Sequence, residues 1–331
     1  MATTVQTVLG EMKIEDLGFT LMHEHVLSAG PGIARVFPEL INDGYPELTG
    51  TGYKNRILSA MNAAKAGGID TILDMTPYDL GRDAGLLREI SKQSGINIIA
   101  STGWFHEPDK VVSCLGKYPA ERFAEVFIRE LTVGMEGTNI RAQVIKTSMD
   151  HDGCTPGRET IHRACAIAGI ETGAPIILHQ HSEKKTAYDQ LRILREEGAD
   201  LRRVKVEHLL DTDDEDYVRW VGDQGVWMGL DRLPDWRIPG NRSNNERIRS
   251  IKTIIDMGFA DRILFGHDSA VLSMNADSWP PNEAGRNAAD NPHGLCYLRK
   301  VTMPALLKLG VEQAILNEIV NENPKRFFSG E

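Results

Sequence analysis

The run Phe19-Thr-Leu-Met-His-Glu-His-Val-Leu27 decides how the fold of this chain is interpreted, because it is a short apolar segment that carries two histidines. Successive side chains of a β-strand point to opposite faces, so His23 and His25 would share one face and could bind one metal ion between them. Taken alone the pattern is weak, since a His-x-His pair on a strand is more often an ordinary polar edge. The rest of the chain must decide between the two interpretations.

Seven further apolar runs of similar length follow along the chain. They are rich in Leu and β-branched residues and are bounded by polar residues, Gly or Pro, which is typical of buried parallel strands. The runs cover residues 70–75, 96–101, 142–147, 175–179, 203–208, 226–230 and 262–267. Stretches of helical length with apolar residues three and four positions apart lie between them, for example residues 55–66, 158–171, 184–197 and 245–257.

Eight alternations of strand and helix, without a linker or a change in composition, predict an α/β fold, a single (β/α)8 TIM barrel domain over residues 1–331. A doubly wound open sheet is the alternative, but no Gly-x-Gly-x-x-Gly turn follows the first strand. In a TIM barrel the active site is built from the C-terminal ends of the strands. We therefore expect functional residues at those ends.

Composition narrows the class of protein. A chain of 331 residues with 41% hydrophobic and 25% charged content can bury a large core. Its net charge of −10 argues against nucleic acid and anionic membrane surfaces as partners and favours a small-molecule substrate. We find no signal-peptide pattern and no apolar run of ~20 residues, and the four cysteines are dispersed. These features predict a cytoplasmic protein.

Residue types that bind divalent metals recur at the ends of the predicted strands. They are His23, His25, Lys146, His179, His208 and Asp268. Each has an ordinary structural explanation by itself, but their joint placement on one rim is hard to obtain by chance. Four imidazoles and one carboxylate are too many for one tetrahedral ion, and they suit zinc, cobalt, manganese or iron. The set predicts a binuclear metal site, an arrangement used for hydrolysis at phosphorus or carbonyl centres.

Lys146 is the unusual member of this set. A free ammonium is a poor metal ligand, and it is costly to bury in an apolar barrel. Its simplest role would be an ion pair with Asp150 or Asp152.

Nearly the whole chain carries motifs in a recognisable order. They are Thr7-Val-Leu-Gly, Gly18-Phe-Thr-Leu-Met-His-Glu-His-Val, Val144-Ile-Lys-Thr-Ser, Pro175-Ile-Ile-Leu-His, Val206-Glu-His-Leu-Leu-Asp-Thr212, Gly229-Leu-Asp-Arg232, Ile263-Leu-Phe-Gly-His-Asp268 and Asn321-Glu-Asn-Pro-Lys-Arg-Phe-Phe328. With these motifs the chain resembles the phosphotriesterase family of the amidohydrolase superfamily. The motifs stand at the strand positions that the family uses.

The resemblance implies a role for each ligand. Lys146 would be carboxylated by carbon dioxide, and its carbamate would bridge two divalent metal ions. The buried ion would be held by His23, His25 and Asp268, and the exposed ion by His179 and His208. Asp268 would also act as a general base. The family further implies a homodimer.

Asp211, three residues after His208, matches the carboxylate that relays protons in the family. A helix N-cap in Leu210-Asp-Thr-Asp-Asp-Glu215 is an equally good interpretation of this residue.

The end of the seventh predicted strand bears on the substrate. Arg232 stands where specialised phosphotriesterases carry histidine, which resembles the lactonase branch of the family. Its guanidinium could orient a carbonyl group, or it could pair with Asp231 or Asp211. Trp104 and Phe105 match the aromatic wall of the family pocket, although aromatic residues after a strand are more often core.

Two segments depart from the well-known lactonases, residues 28–37 and a long loop predicted from Ser269 to about Leu298, and both should influence specificity. His267 should point away from Asp268, because neighbouring strand residues face opposite sides.

The resulting hypothesis is a binuclear metal-dependent hydrolase that acts on lactones, such as acyl-homoserine lactones, with weaker promiscuous activity on organophosphate triesters. A second hypothesis keeps the site but changes the bond to a carboxylate ester, carbamate or phosphodiester. A third is a catalytically silent barrel that binds or regulates, which predicts a missing ligand. No ligand is missing from the sequence.

Overall fold

A computed structural model of the chain describes residues 2–32, 36, 52–234, 242–273 and 291–331. The strands are β1 (Thr4–Thr7), β2 (Gly10–Lys13), β3 (Thr20–Ser28), β4 (Thr71–Asp74), β5 (Asn97–Trp104), β6 (Val144–Met149), β7 (Ile176–Gln180), β8 (Val204–Val206), β9 (Trp227–Leu230), β10 (Ile263–Phe265) and β11 (Ser269–Ser273).

The α-helices are α1 (Gly52–Ala66), α2 (Ala84–Ser94), α3 (Pro108–Val111), α4 (Ala120–Thr132), α5 (Pro156–Thr172), α6 (Ala187–Glu196), α7 (Glu215–Asp223), α8 (Asn244–Ile254), α9 (Met303–Lys308), α10 (Gln313–Asn317) and α11 (Asn323–Ser329). Several begin at side-chain caps that the sequence supplies. The hydroxyl of Thr155 caps α5, the carboxylate of Asp214 caps α7, and Ser243 with Glu246 forms a capping box on α8.

Nine parallel strands form one sheet in the order β10-β9-β8-β7-β6-β5-β4-β3-β11. The strands at its two ends, β10 and β11, are consecutive in sequence. β10 pairs with β9, whereas β11 pairs with β3. The segment from β10 to β11, which is the eighth passage of the chain through the barrel wall, therefore joins both edges of the sheet. Between them, the amides of His267 and Asp268 donate to the carbonyl of His23, at 3.2 and 3.0 Å. The predicted (β/α)8 barrel is confirmed, and the alternative of an open sheet is wrong.

Apolar side chains fill both sides of the sheet. A large cluster lies between the strands and the surrounding helices. A smaller one, the interior cluster, contains residues of successive strands together with residues from both chain ends. Its members are Val5, Ile14, Leu17, Met22, Leu73, Met75, Ile99, Val144, Ile177, Trp227, Leu264, Phe327 and Phe328. Side chains from the strands thus fill the lower barrel, as in other TIM barrels.

A β-bulge in β3 affects which side chains of this strand face the site. The pairing of β3 with β4 changes register between Leu21 and Glu24. Met22 belongs to the interior cluster, and His23, the next residue, also faces the inside of the barrel. A bulge permits this by adding one residue to one strand, and the usual alternation then resumes. His25 therefore joins His23 on the inner side, as predicted.

The structure differs from the predicted elements in several places. The N-terminal hairpin of β1 and β2 was not predicted. The predicted strand 203–208 ends at Val206. The loop predicted to begin at Ser269 was wrong in its first five residues, because they form β11. The rest of that loop up to residue 290, and residues 33–35 and 37 of the segment 28–37, lie outside the described residues.

None of the helices in the described ranges is long and apolar enough to cross a membrane.

Candidate metal centre

The first group of predicted ligands meets where the middle of β3 lies beside the chain passage between β10 and β11. His23 Nε2 and His25 Nε2 each lie 3.3 Å from Asp268 Oδ1. The donor atoms of these three residues are close enough together to hold one metal ion.

The second group comes from the ends of β7 and β8. His179 Nδ1 and His208 Nε2 lie 2.8 Å apart. Two ring nitrogens this close must share a proton or bind a common cation, since two lone pairs would otherwise repel each other. The ring of His23 stands next to that of His208, with centroids 5.3 Å apart, so the two groups form one site.

The other ring nitrogen of each of three histidines lies close to an oxygen atom. His25 Nδ1 lies 2.8 Å from Thr76 Oγ1. Asp231 contacts two rings at once, with Oδ1 2.9 Å from His208 Nδ1 and Oδ2 3.0 Å from His23 Nδ1. Thr76 and Asp231 can accept from protonated Nδ1 atoms of His25 and His208, and this tautomer leaves their Nε2 lone pairs for a metal. His23 Nδ1 lies at ion-pair distance from Asp231, without a hydrogen bond among the described residues.

Lys146, on β6, is fully buried, and its Nζ has no hydrogen-bond partner among the described residues. Burial lowers the pKa of its amine to about 8, against the opposing effect of Glu207 and Asp268. The simple role suggested by the sequence, an ion pair with a nearby aspartate, is wrong. Asp150 lies 3.7 Å from His179 Nε2, and Asp152 lies 3.6 Å from Lys110 and 3.7 Å from Arg158.

Burial also sets the charge of the imidazoles. It lowers the pKa of His179 to about 4 and that of His208 well below its ordinary value, helped in both cases by Arg232. These rings are therefore neutral, which is the form that binds metal. His23 behaves differently. Burial and Lys146 lower its pKa, but the carboxylates around it raise the pKa to about 10 in the absence of metal.

Arg232 lies at the mouth of the site between two carboxylates. Its Nε is 2.8 Å from Asp268 Oδ2, and its Nη1 pairs with Asp211. Asp211 is held from its other side by Arg247, at 2.6 Å. The pairing of Arg232 with Asp211 is one of the two suggested by the sequence. The helix N-cap interpretation of Asp211 is wrong, because Asp214 caps α7.

Three residues of the site have left-handed backbone conformations, His208 with φ 60°, Arg232 with φ 60° and Asp268 with φ 52°. Such conformations are uncommon for residues other than glycine and concentrate at functional sites. At His208 and Arg232 the backbone leaves the strand geometry, so two consecutive residues, Glu207 with His208 and Asp231 with Arg232, can both reach the inside of the barrel. Simple alternation would have separated them.

The two predicted pocket aromatics have different surroundings. The ring of Phe105 meets that of His179 edge-on, with centroids 5.0 Å apart. Its backbone amide is held 3.0 Å from both carboxylate oxygens of Asp79. Trp104 packs instead against Phe123, which belongs to the large apolar cluster. Phe105 therefore borders the ligands, whereas Trp104 contacts the core.

The structure brings together all six predicted ligands with Arg232, Asp211 and Phe105. It also adds residues that the sequence analysis did not assign to the site, namely Thr76, Lys205, Glu207 and, as a partner of histidines, Asp231. A signal for two of them was present. Lys205 and Glu207 alternate with valines in an otherwise apolar strand, which is unusual for residues that would face a barrel interior.

Known proteins are similar to this chain over nearly its whole length. The sequence model of the phosphotriesterase family matches residues 3–328. An aryldialkylphosphatase of Saccharolobus solfataricus is 34% identical, over 97% of this chain and 99% of that protein. A phosphotriesterase homology protein of Mycobacterium tuberculosis is 31% identical, over 98% and 97%. An N-acetyltaurine hydrolase of Danio rerio is 26% identical, over 98% and 97%.

Proposed function

The chain belongs to the phosphotriesterase family, and from this premise we propose that it is a binuclear metal-dependent hydrolase that opens lactones and acts more weakly on organophosphate triesters. The resemblance inferred from the motifs is confirmed, and with it the assignment to the hydrolases. The proposal rests on one observation above all. Six predicted metal ligands converge at one end of the barrel, and the buried amine of Lys146 has no hydrogen-bond partner within the described part of the chain.

The residues present fit two divalent ions. His23, His25 and Asp268 would hold the buried ion, and His179 and His208 the exposed one. Nitrogen and carboxylate ligands of this kind suit zinc, and also cobalt, manganese or iron. Lys146 fits the predicted carbamate, because an amine with a pKa of about 8 is partly neutral near pH 7 and the neutral amine is the form that reacts with carbon dioxide. When bound, the two ions would polarise a substrate oxygen and acidify a water molecule.

Asp268 would accept the proton of the attacking water, since its carboxylate lies within 3.3 Å of His23 Nε2 and His25 Nε2. Arg232 holds its other oxygen at 2.8 Å. A guanidinium does not release its proton in proteins, so Arg232 would orient Asp268 rather than carry the proton onwards. Asp211 anchors Arg232, and its predicted role as a proton relay would need a path around the guanidinium.

Two features support a lactone as substrate. The guanidinium of Arg232 lies beside Asp268 at the mouth of the site, where it can donate to a carbonyl oxygen. The ring of Phe105 adds apolar surface next to His179, suited to an acyl chain or ring. The resemblance of Gly229-Leu-Asp-Arg232 to the lactonase branch agrees with both.

The test is elemental analysis of the purified protein, followed by assays of the same sample on a long-chain acyl-homoserine lactone and on a chromogenic phosphotriester. We expect about two metal ions per chain and a higher kcat/KM for the lactone. A higher kcat/KM for the triester would overturn the substrate preference. Failure to bind metal after reconstitution with divalent ions and bicarbonate would overturn the mechanism.

A second candidate substrate is another ester-type or an amide bond. The relative named N-acetyltaurine hydrolase supports this alternative, because its name indicates the cleavage of an amide. The same panel should therefore include a p-nitrophenyl carboxylate ester, a carbamate, a phosphodiester and an N-acetyl amide. A higher kcat/KM for one of these than for the lactone would reassign the substrate class while keeping the site.

A further inference from the structure

Lys205 places a charged side chain in the apolar interior of the barrel. It lies in register between Ile177 and Trp227, both members of the interior cluster, and it is fully buried. Its side chain extends across the barrel, and its Nζ donates to the carbonyl oxygen of Met22 on β3, at 2.8 Å. The same Nζ forms an ion pair with Glu207 Oε1, at 2.7 Å. A buried ion pair is seldom more stable than an apolar pair of similar size, so the fold alone does not explain it.

Glu207 occupies a space that the neighbouring strand leaves open. It is fully buried, two residues after Lys205 and on the same side of the sheet. Gly229 on β9 lies against its carboxylate, and a Cβ atom at that position would overlap Glu207 Oε2. A glycine inside a strand often marks such a close approach. The barrel therefore accommodates a carboxylate at this point.

This carboxylate reaches a predicted metal ligand. Glu207 Oε1 lies 3.1 Å from His23 Nδ1, and Asp231 Oδ2 lies 3.0 Å from the same nitrogen, both as ion-pair contacts without a hydrogen bond among the described residues. Asp231 also binds His208, so it contacts ligands of both predicted ions. Glu207 approaches the site from below and contacts the ligand of the buried ion. Negative charge at Nδ1 makes an imidazole a stronger donor at Nε2 and fixes the plane of its ring.

We propose that Glu207, held in place by Lys205, is a positioning residue that orients His23 and strengthens its bond to the buried metal ion. Lys205 balances the charge of the carboxylate and ties it to the backbone of β3. The inference rests on the proposed function, because it requires an ion bound by His23, His25 and Asp268. It predicts an unequal effect, in which the buried ion depends on Glu207 and the exposed ion does not.

The test is Co²⁺ binding to the metal-free protein, reconstituted in bicarbonate and followed by competition with a chromophoric chelator and by the visible absorption of bound Co²⁺. In Glu207→Gln we expect one of the two binding steps to weaken by about 10-fold, with a change in its absorption band, and the other step to stay unchanged. Equal weakening of both steps, or no weakening, would overturn the proposal.

The double variant Lys205→Met/Glu207→Gln separates positioning from simple charge balance. It removes both charges, so neither member of the pair is left as an unpaired buried ion, and it should fold even where Glu207→Gln is unstable. If Glu207 served only to neutralise Lys205, the double variant would bind Co²⁺ as the wild type does, and the proposal would fail. If Glu207 acts on His23, the double variant keeps the weakened step.

Glu130→Gln is the matched control. Glu130 is also a buried carboxylate in an ion pair, with Arg82 at 2.8 Å, but it lies on α4 away from the ligands. This variant should lose stability and keep both Co²⁺ affinities. A wild-type protein that binds no Co²⁺ would refute the proposed function itself, whereas two normal binding steps in every variant would refute only the role of Glu207.

Discussion

Arg82 and Lys146 are both buried basic residues of this barrel, and their surroundings are opposite. The guanidinium of Arg82 binds Glu130, Glu136 and the carbonyl of Ser101, each at 2.8 Å. Despite burial, the carboxylates raise its pKa. Lys146 has no such partner among the residues that the structure describes, and burial lowers the pKa of its amine to about 8.

This difference shows how a buried charge with a structural role can be distinguished from a buried charge with a chemical role. A buried charge that is fully hydrogen-bonded holds elements together, as Arg82 joins the segment before α2 to α4. A buried amine without a partner costs free energy and adds nothing to the fold, so chemistry must explain it. Four substitutions test this contrast.

The largest effect is expected from Lys146→Met. Removal of the amine should lower kcat/KM by about 10,000-fold, because the carbamate proposed to bridge two ions could not form, and metal content should fall with it. The free energy of unfolding of the metal-free protein should stay the same or rise, since an unpaired buried amine is replaced by an apolar side chain. Urea unfolding, metal analysis and steady-state kinetics measure these quantities. Activity near that of the wild type would contradict the proposed bridge.

Asp268→Asn should lower kcat by about 1,000-fold, because an amide cannot accept the proton of the attacking water. The substitution keeps the size of the side chain, so the far-ultraviolet circular dichroism spectrum should not change. Metal content must be measured in the same sample, because Asp268 is also a predicted ligand. Turnover close to the wild-type value in a fully loaded variant would exclude the role of Asp268 as general base.

Arg82→Met should act on stability instead. It leaves Glu130 and Glu136 without their shared cation, and we expect the free energy of unfolding to fall by about 3 kcal/mol. The folded fraction should keep its metal content and its kcat/KM. A large loss of activity per folded molecule would show that the two buried charges do not differ as proposed.

The smallest effect is expected from Arg232→Met. Loss of one charge-assisted hydrogen bond to a carbonyl should lower kcat/KM for a lactone by about 10-fold. The decrease for a phosphotriester should be smaller if Arg232 orients the carbonyl. Comparison of the two kcat/KM ratios measures this, and an equal decrease for both substrates would point to a role through Asp268 alone.

Much of the site could be predicted from the sequence, for a simple reason. The strands of a TIM barrel are parallel, so residues at their C-terminal ends must meet on one rim wherever the helices lie. His23, His25, His179 and Asp268 follow from this rule. The rule says nothing about partners below the rim, and Lys205 and Glu207 were therefore missed.

The tertiary structure decided the finer arrangement. Alternation along a strand predicts that consecutive residues point apart, and it fails at His208 and Arg232, where a positive φ turns the chain. The partners of Arg232 also depended on the fold, because Asp211, Asp268 and Arg247 come from distant parts of the chain.

The sequence by itself determined the eight-stranded plan, the family and the set of metal-binding residue types, because these depend on local pattern and on the order of motifs. Only the tertiary structure showed that Lys146 is buried with no hydrogen-bond partner in the described part of the chain. It also showed that β10 and β11 pair with opposite edges of the sheet, and that Glu207 reaches His23. Each of these depends on distances between strands, and such distances arise only when the sheet curls and its side chains pack.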